Sequence, residues 1–253
     1  MLSCVRAPEI PFDAAREAAE LRDYLGEDYD HARLEHYERQ LEAELAEVGD
    51  EEAFYRSSKG YLYNLTAFAM SATKVPYLAD LTEITSPGAR LLDYGCGIGS
   101  DGLMLLEMGY RVEFADFDNP STRYLRWRLE RRGLHAPVHD LDAGPPPAGF
   151  DLAYAFDVIE HVEDPFAFLG AMEAATRTVL VNLLEPKAGE TVLHHELPIR
   201  AILGRARQRG LVHYRRHHES SHLVGYGGTR PARLAALRSR AALEVGMRRP
   251  AVR

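Results

Sequence analysis

The sequence predicts an α/β protein: a seven-stranded sheet, mostly parallel and closed by an antiparallel pair, with helices on both faces and an acidic helical segment in front. Three observations predict it. From residue 90 onward, short apolar runs alternate with helical patterns, as in parallel strands joined by crossover helices. The first apolar run breaks into Gly95-Cys96-Gly97-Ile98-Gly99 and resumes as the helix-like Leu103-Met104-Leu105-Leu106. The last two apolar segments, 211–214 and 223–226, are close enough in sequence to pair as an antiparallel finish.

Composition bounds the function. The chain has 253 residues, 46% of them hydrophobic, enough for one large domain with an appendage. A formal net charge of −8 argues against a broad nucleic-acid footprint. Cys4 and Cys96 have neither metal-binding nor disulfide spacing, which points to a reducing cytosol. The first residues lack the apolar core of a signal peptide. No run approaches the roughly 20 apolar residues that span a bilayer. The expectation is a cytoplasmic protein with a small-molecule partner, no nucleic acid and no membrane insertion; a homodimer stays open.

Taken in order, residues 9–52 are acidic, and Leu34, Tyr37, Leu41, Leu45 and Val48 recur at three- and four-residue steps, the pattern of one buried helical face. Residues 54–64 are dense in aromatic and polar groups. Residues 65–81 read as a helix interrupted at Pro76. Pro87-Gly88 marks a turn. Strand one is 90–94, and the helix after it runs from 100 to 108, ending at Gly109. Strand two, 111–115, leads to Asp116-Phe117-Asp118-Asn119-Pro120, with Asn119 placed to cap a helix and Pro120 to begin it. In that helix Arg123, Arg126, Arg128, Arg131 and Arg132 read as a solvated face around Leu125 and Leu129. Strand three falls at 136–139 and strand four at 150–156. Asp164-Pro165 opens the next helix, and strand five is 178–183. A helix from Pro198 to Gly210 precedes the antiparallel pair. The arginine-rich stretch after Gly228 reads as a mobile tail. The domain organisation expected is 1–80, an acidic helical extension; 81–228, the sheet domain; and 229–253, the basic tail.

The glycine turn carries the chemistry. Glycine bends the backbone sharply and lets a ligand lie against bare main chain, and the following helix adds unpaired N–H groups and a positive dipole end. A dinucleotide fingerprint is G-x-G-x-x-G. Here the glycines are 95, 97 and 99, and Ser100 stands where the third should be. Asp116 follows the first glycine by about twenty residues, where a carboxylate can accept both hydroxyls of a ribose.

Asp93 with Gly95, Gly97 and Gly99 resembles motif I of the class I S-adenosylmethionine-dependent methyltransferases. Asp157-Val158-Ile159-Glu160-His161-Val162-Glu163-Asp164-Pro165 after strand four resembles motif IV of their small-molecule, UbiE/UbiG-like branch. The resemblance covers residues 80–228 and implies a Rossmann-like fold with the N-terminal helices as a lid. It implies a cofactor site formed by Asp93, Gly95, Cys96 and Gly97, with Asp116 on the ribose and Phe117 stacked on adenine. Asp140 would hold the adenine amino group and the Leu141 N–H would meet the ring. Phe156 and Tyr63 complete the set. Tyr55, Arg56, Lys59 and Tyr61 are further pocket candidates.

The activity implied is methyl transfer from S-adenosylmethionine to the oxygen, carbon or nitrogen of a small molecule, plausible in bacterial secondary metabolism. A base must remove a proton when the acceptor is a hydroxyl or acidic C–H. Histidine titrates nearest neutrality, so His195 and His161, with Asp157, are the catalytic candidates. Asp157, Glu160 and His161 at i, i+3, i+4 would share one helical face and could bind a divalent cation, completed by His194 or His195. Some relatives with a similar stretch are metal-dependent and many are not. Arg56, Lys59, His195 and Arg200 favour an anionic acceptor. A silent cofactor-binding or protein-interaction domain, and a nicotinamide oxidoreductase, remain the competing readings.

Overall fold

Short polar side chains set where the N-terminal helices begin. Asp13 caps α1 (Ala14–Leu25) and Asp30 caps α2 (His31–Glu35). α3 (Tyr37–Val48) follows, and Asp50 caps α4 (Glu51–Ser57). Each carboxylate accepts an N–H that the first helical turn leaves unpaired. The expected acidic helical region is therefore several helices. Burial fades along its expected apolar face: Leu34 and Leu41 are buried, whereas Val48 is exposed. α5 (Tyr61–Met70) and α6 (Val75–Ile84) complete the segment. Pro76 does not interrupt a helix. It stands in the first turn of α6, where its missing N–H breaks no helical bond.

The structure is a computed structural model that describes residues 9–185, 194–228, 239 and 241–244. Chain order is β1 (Arg90–Tyr94), α7 (Ser100–Glu107), β2 (Arg111–Asp116), α8 (Pro120–Arg131), β3 (Val138–Asp140), β4 (Leu152–Ala155), α9 (Pro165–Ala175), β5 (Thr178–Leu184), α10 (Ile199–Gln208), β6 (Leu211–His217) and β7 (Ser221–Gly227). The sheet has seven strands in the order β3-β2-β1-β4-β5-β7-β6. β2–β3, β1–β4 and β4–β5 pair in parallel. β7 runs antiparallel to both β5 and β6, as the two closing apolar segments predicted. Asn119 and Thr122 form a capping box at the start of α8, with Pro120 first in the helix. Among the described residues no helix is long and apolar enough to cross a membrane.

Two compact units divide these elements. One holds the described residues up to Ala89 together with Cys96–Gly144; the other holds Arg90–Gly95 and the described residues from Pro145 onward. The helices expected as a lid thus share a unit with α7, β2, α8 and β3. Of the expected tail, only residues 239 and 241–244 are described. There Leu243 is buried and Glu244 pairs with Arg207.

In the first unit, Leu21, Leu34, Leu62, Tyr63, Ile98 and Tyr124 form a core between α1, α2, α5 and α8. Beside it lies an ionic network that the sequence did not announce. Arg128 is 0% exposed, and Arg132 is nearly so in its side chain. The face of α8 read as solvated is therefore partly interior. The reason is α1, whose Glu17 and Glu20 are themselves buried. Arg128 donates from Nε to Glu20 and from Nη2 to Glu17. Arg132 donates to Glu20 from Nε and Nη2, both at 2.7 Å. Arg123, Arg126 and Arg131 do remain at the surface, paired with Asp118 and Asp23. Removing one partner of such a buried pair typically destabilises by about 3–5 kcal/mol, because the other charge is left uncompensated.

This network predicts acid sensitivity. Burial alone would raise the Glu20 carboxyl, but the Arg132 hydrogen bond and the charges of Arg128 and Arg132 outweigh it and hold the pKa below the ordinary 4.5. A depressed folded-state pKa gives stability that is present above the unfolded value and lost as pH falls through the folded one. Denaturant midpoints measured from pH 6 down to about 3 should therefore fall less steeply in Glu20→Gln than in the parent. Equal slopes would mean that Glu20 contributes nothing to acid stability.

The second unit is organised around β4, β5 and β7. Asp164 caps α9 through the Phe166 and Ala167 N–H groups. Glu173 of α9 accepts from Arg205 of α10 and from the Tyr226 hydroxyl. Glu185, just past β5, pairs with His222 at 2.7 Å and with Arg216 at 2.9 Å.

Candidate functional site

In the first unit, a candidate nucleoside receptor lies where the loop entering α7 meets the ends of β2 and β3 around Asp116. The loop entering α7 turns back on itself, with the Gly99 N–H donating to Cys96 O at 2.8 Å and the Cys96 N–H to Ala115 O at 3.2 Å. Gly97 has φ +51°, and a Cβ there would stand 3.3 Å from Leu65 Cδ1. Gly99 has φ +72°, and a Cβ there would meet Leu125 Cδ1 at 2.3 Å. Only bare main chain fits both constraints.

The Gly97 N–H donates to Asp116 Oδ2 at 2.8 Å, and the Phe117 N–H donates to Asp116 Oδ1 at 2.8 Å. Each oxygen still has a lone pair for a further donor. Burial pushes the Asp116 carboxyl up, and these two backbone donors work against it. Asp140 stands directly beside Asp116 in the β2–β3 register. Two carboxylates at neighbouring strand ends suit the paired hydroxyls and the amino edge of a nucleoside.

Phe117 is 40% exposed, so its ring is open for stacking. The Arg56 guanidinium lies 4.6 Å from that ring's centroid. It is held there by two bonds to Asp142, 2.6 and 3.0 Å, and one to Glu52 at 2.9 Å. The Asp142 and Glu52 hydrogen bonds raise the Arg56 pKa, and Arg56 lowers that of Asp142. α4 thus reaches the edge of the receptor through one cation.

Two residues assigned by the resemblance are differently engaged. The Leu141 N–H already donates to Asp116 O at 3.0 Å, so a purine edge would be left to the Asp140 carboxylate. Tyr63 is nearly buried in the core, and its hydroxyl accepts from the Asp30 N–H at 2.9 Å. That placement makes it a packing residue between α5 and the α2 cap. Cys96 is half-buried, and its thiol faces the Gly97 carbonyl at 3.9 Å.

In the second unit, Asp93 and Phe156 are buried at the ends of β1 and β4. Asp157 follows with φ +55°, a conformation that costs a non-glycine residue about 1–3 kcal/mol and persists only where its surroundings enforce it. Asn182 enforces it. The Asp157 N–H donates to Asn182 Oδ1 at 2.7 Å, and Asn182 Nδ2 donates to Asp157 Oδ1 at 2.6 Å. Asp157 Oδ2 is buried and accepts no hydrogen bond among the described residues.

The expected helical face of Asp157, Glu160 and His161 does not form. The backbone is left-handed at Asp157, and only Ile159–His161 make a 3₁₀ turn. His194 takes the place of Asp157. The His195 N–H donates to Glu160 O at 2.7 Å, which brings the His194 ring to 4.8 Å from that of His161. One ligand atom each from Glu160, His161 and His194 lies within 4.8 Å of the others. A buried carboxylate beside two imidazoles is a donor set that divalent first-row metals accept, so these residues fit a cation by the chemistry of their donor atoms. His195 is exposed and outside the trio.

Sequence reasoning missed Asn182, Asp142 and Arg128. Asn182 had a signal, being the single polar residue in the apolar run Val179-Leu180-Val181-Asn182-Leu183-Leu184.

Residues 34–220 match the family described as "Methyltransferase domain". A ubiquinone biosynthesis O-methyltransferase from Xanthomonas campestris is 29% identical over 108 residues, 41% of this chain and 44% of that one. The protein of the same name from Ruegeria pomeroyi is 34% identical over 93 residues, 36% of this chain and 38% of that one. The matches span less than half the length of either relative. Magnesium protoporphyrin IX methyltransferase from Synechocystis PCC 6803, solved with bound SAH, has a TM-score of 0.53 at 15% identity, covering 84% of this chain and 100% of that one. At that identity the likeness shows the fold.

Proposed function

Because the chain belongs to the methyltransferase-domain family, we propose that it moves a methyl group from S-adenosylmethionine to a small-molecule acceptor. The observation that carries this reading is the Asp116 carboxylate, which accepts from the Gly97 N–H at 2.8 Å and stands in register with Asp140. S-adenosylmethionine supplies a methyl carbon on a sulfonium; the acceptor lone pair attacks it in line and the carbon–sulfur bond breaks toward the sulfur. The chain's part is to hold, orient and exclude water, which is where roughly 7–11 kcal/mol of such a barrier can be supplied. Asp116 and Asp140 hold the nucleoside, and the 95–99 loop presents main chain to the rest of the donor.

In this reading the acceptor's proton goes to a carboxylate or an imidazole. Asp157, held by Asn182 and with Oδ2 accepting no hydrogen bond among the described residues, and His161 and His195 are the candidates. The Glu160–His161–His194 donor set favours a second element, a divalent cation, whose chemistry would be Lewis-acid polarisation of an acceptor oxygen. The acceptor is proposed to be anionic, met by Lys59, His195 or Arg200. Arg56 is withdrawn from that role, because it serves Asp142 and the Phe117 ring. The setting proposed is the cytoplasm, in secondary metabolism.

Titration calorimetry with S-adenosylhomocysteine and with NADH tests the donor site. Binding of the first and not the second is expected; no binding of the first ends this reading. Methyl transfer from labelled donor into a cell extract then separates an enzyme from a silent binding domain. If a cation takes part, activity should fall after chelation and return with added Mg²⁺, Mn²⁺ or Zn²⁺; activity indifferent to chelator removes it. Arg56→Ala should raise the donor KM by only about two- to fivefold, the size of an exposed ion pair, and leave the acceptor KM unchanged.

A further inference from the structure

Arg128 lies inside the first unit and touches the loop that the proposed function assigns to the methyl donor. Its Nη1 donates to Ile98 O, the carbonyl between Gly97 and Gly99, at 2.9 Å, and to Ser100 Oγ at 2.9 Å. Nε donates to Glu20 at 2.8 Å and Nη2 to Glu17. Ser100 Oγ in turn donates to Glu17 Oε2 at 2.7 Å. All three guanidinium nitrogens are engaged and the side chain is wholly buried, so Arg128 is not itself a ligand contact. What it governs is the orientation of the Ile98 carbonyl. That carbonyl shares its peptide plane with the N–H of Gly99, which is at positive φ and donates to Cys96 O at 2.8 Å, so a flip of the plane re-aims the Gly99 N–H.

We infer that Arg128 is the positioning residue of the donor loop and that α1 belongs to the donor site through it. The guanidinium can stay buried against the loop because Glu17 and Glu20 compensate its charge. Removing α1 or its two glutamates would therefore be felt as lost donor affinity, although the link from α1 to the loop runs through Arg128 and Ser100. The inference rests on the reading of the loop as a donor site, and Arg132 allows the two to be told apart. Arg132 is bound to the same Glu20 and, at 3.4 Å, to the same Glu17, and also to Glu107, but to no atom of the loop.

The test compares Arg128→Lys with Arg132→Lys in the full chain. Both keep their charge and both should lower the melting temperature. Lysine at 128 cannot serve Glu17, Glu20 and the Ile98 carbonyl together. S-adenosylhomocysteine affinity should fall about tenfold in Arg128→Lys, the size of one lost charge-assisted hydrogen bond, and about twofold or less in Arg132→Lys. Amide exchange at Gly97 and Gly99, read without ligand, should speed up in the first variant only. Equal losses in both variants, or none in Arg128→Lys, would overturn the inference. A parent protein that binds no S-adenosylhomocysteine refutes the donor reading instead, and the exchange comparison still decides for Arg128. Should Arg128→Lys not fold, Ser100→Ala removes the hydroxyl linking Arg128 to Glu17 and is expected to show the same pattern at about threefold.

Discussion

Gly97→Val is expected to lower S-adenosylhomocysteine affinity by about a hundredfold or more, and to lower the melting temperature by about 2–4 °C per kcal/mol of strain. Gly97 is held at φ +51°. A β-branched residue there carries roughly 1–3 kcal/mol of backbone strain. Its Cβ would also stand 3.3 Å from Leu65 Cδ1, with two methyl groups beyond it. The loop can escape only by turning to negative φ, which pulls the residue-97 N–H off Asp116. The receptor then loses both its bare surface and the donor that orients its carboxylate. A hundredfold loss corresponds to about 2.7 kcal/mol, within reach of these two effects combined. Calorimetry checks it directly, with Gly97→Ala expected between the two. Affinity unchanged in Gly97→Val would mean that this loop is not where the donor binds.

Asp116→Asn should have an effect of similar size for a different reason. The carboxylate accepts the Gly97 and Phe117 N–H groups on separate oxygens, leaving an acceptor on each for a pair of sugar hydroxyls. An amide has one oxygen for all of these tasks. Losing two hydrogen bonds to a charged group is worth about 1.5–3 kcal/mol each, so affinity should drop at least about a hundredfold. The pH dependence adds a second reading. Burial raises the Asp116 pKa, and the hydroxyls need the ionised form. Parent affinity should therefore weaken on acidification from a higher pH than an ordinary aspartate would show, and this dependence should vanish in Asp116→Asn. A 2′-deoxy ligand should lose affinity for the parent but little further for the variant; additive losses would place Asp116 away from the sugar.

The glycine turn and Asp116 were largely legible because their logic is local. Alternating glycines after an apolar run, and an acid closing the next strand, follow from backbone geometry over a few residues. The same applies to the Asn119 and Asp164 caps, which the structure places as expected. Helical periodicity misled at two points. It put Arg128 and Arg132 on a solvated face, since a face is called wet or dry only by what returns to cover it. It also joined Asp157 to Glu160 and His161, where a left-handed residue at 157 ends the regular spacing.

What the sequence determined unaided is the order of strands and helices, the glycine turn and the acid that anchors it. Each depends on residues close together along the chain, where dihedral preferences and capping decide. Tertiary structure alone decided that Asn182 holds Asp157 across 25 residues, that His194 completes the trio with Glu160 and His161, and that Glu17 neutralises Arg128 across 111. The physical reason is that a charge or a polar group is tolerated in the interior only with its partner. Which partner arrives depends on how distant segments fold back, and no local rule encodes that.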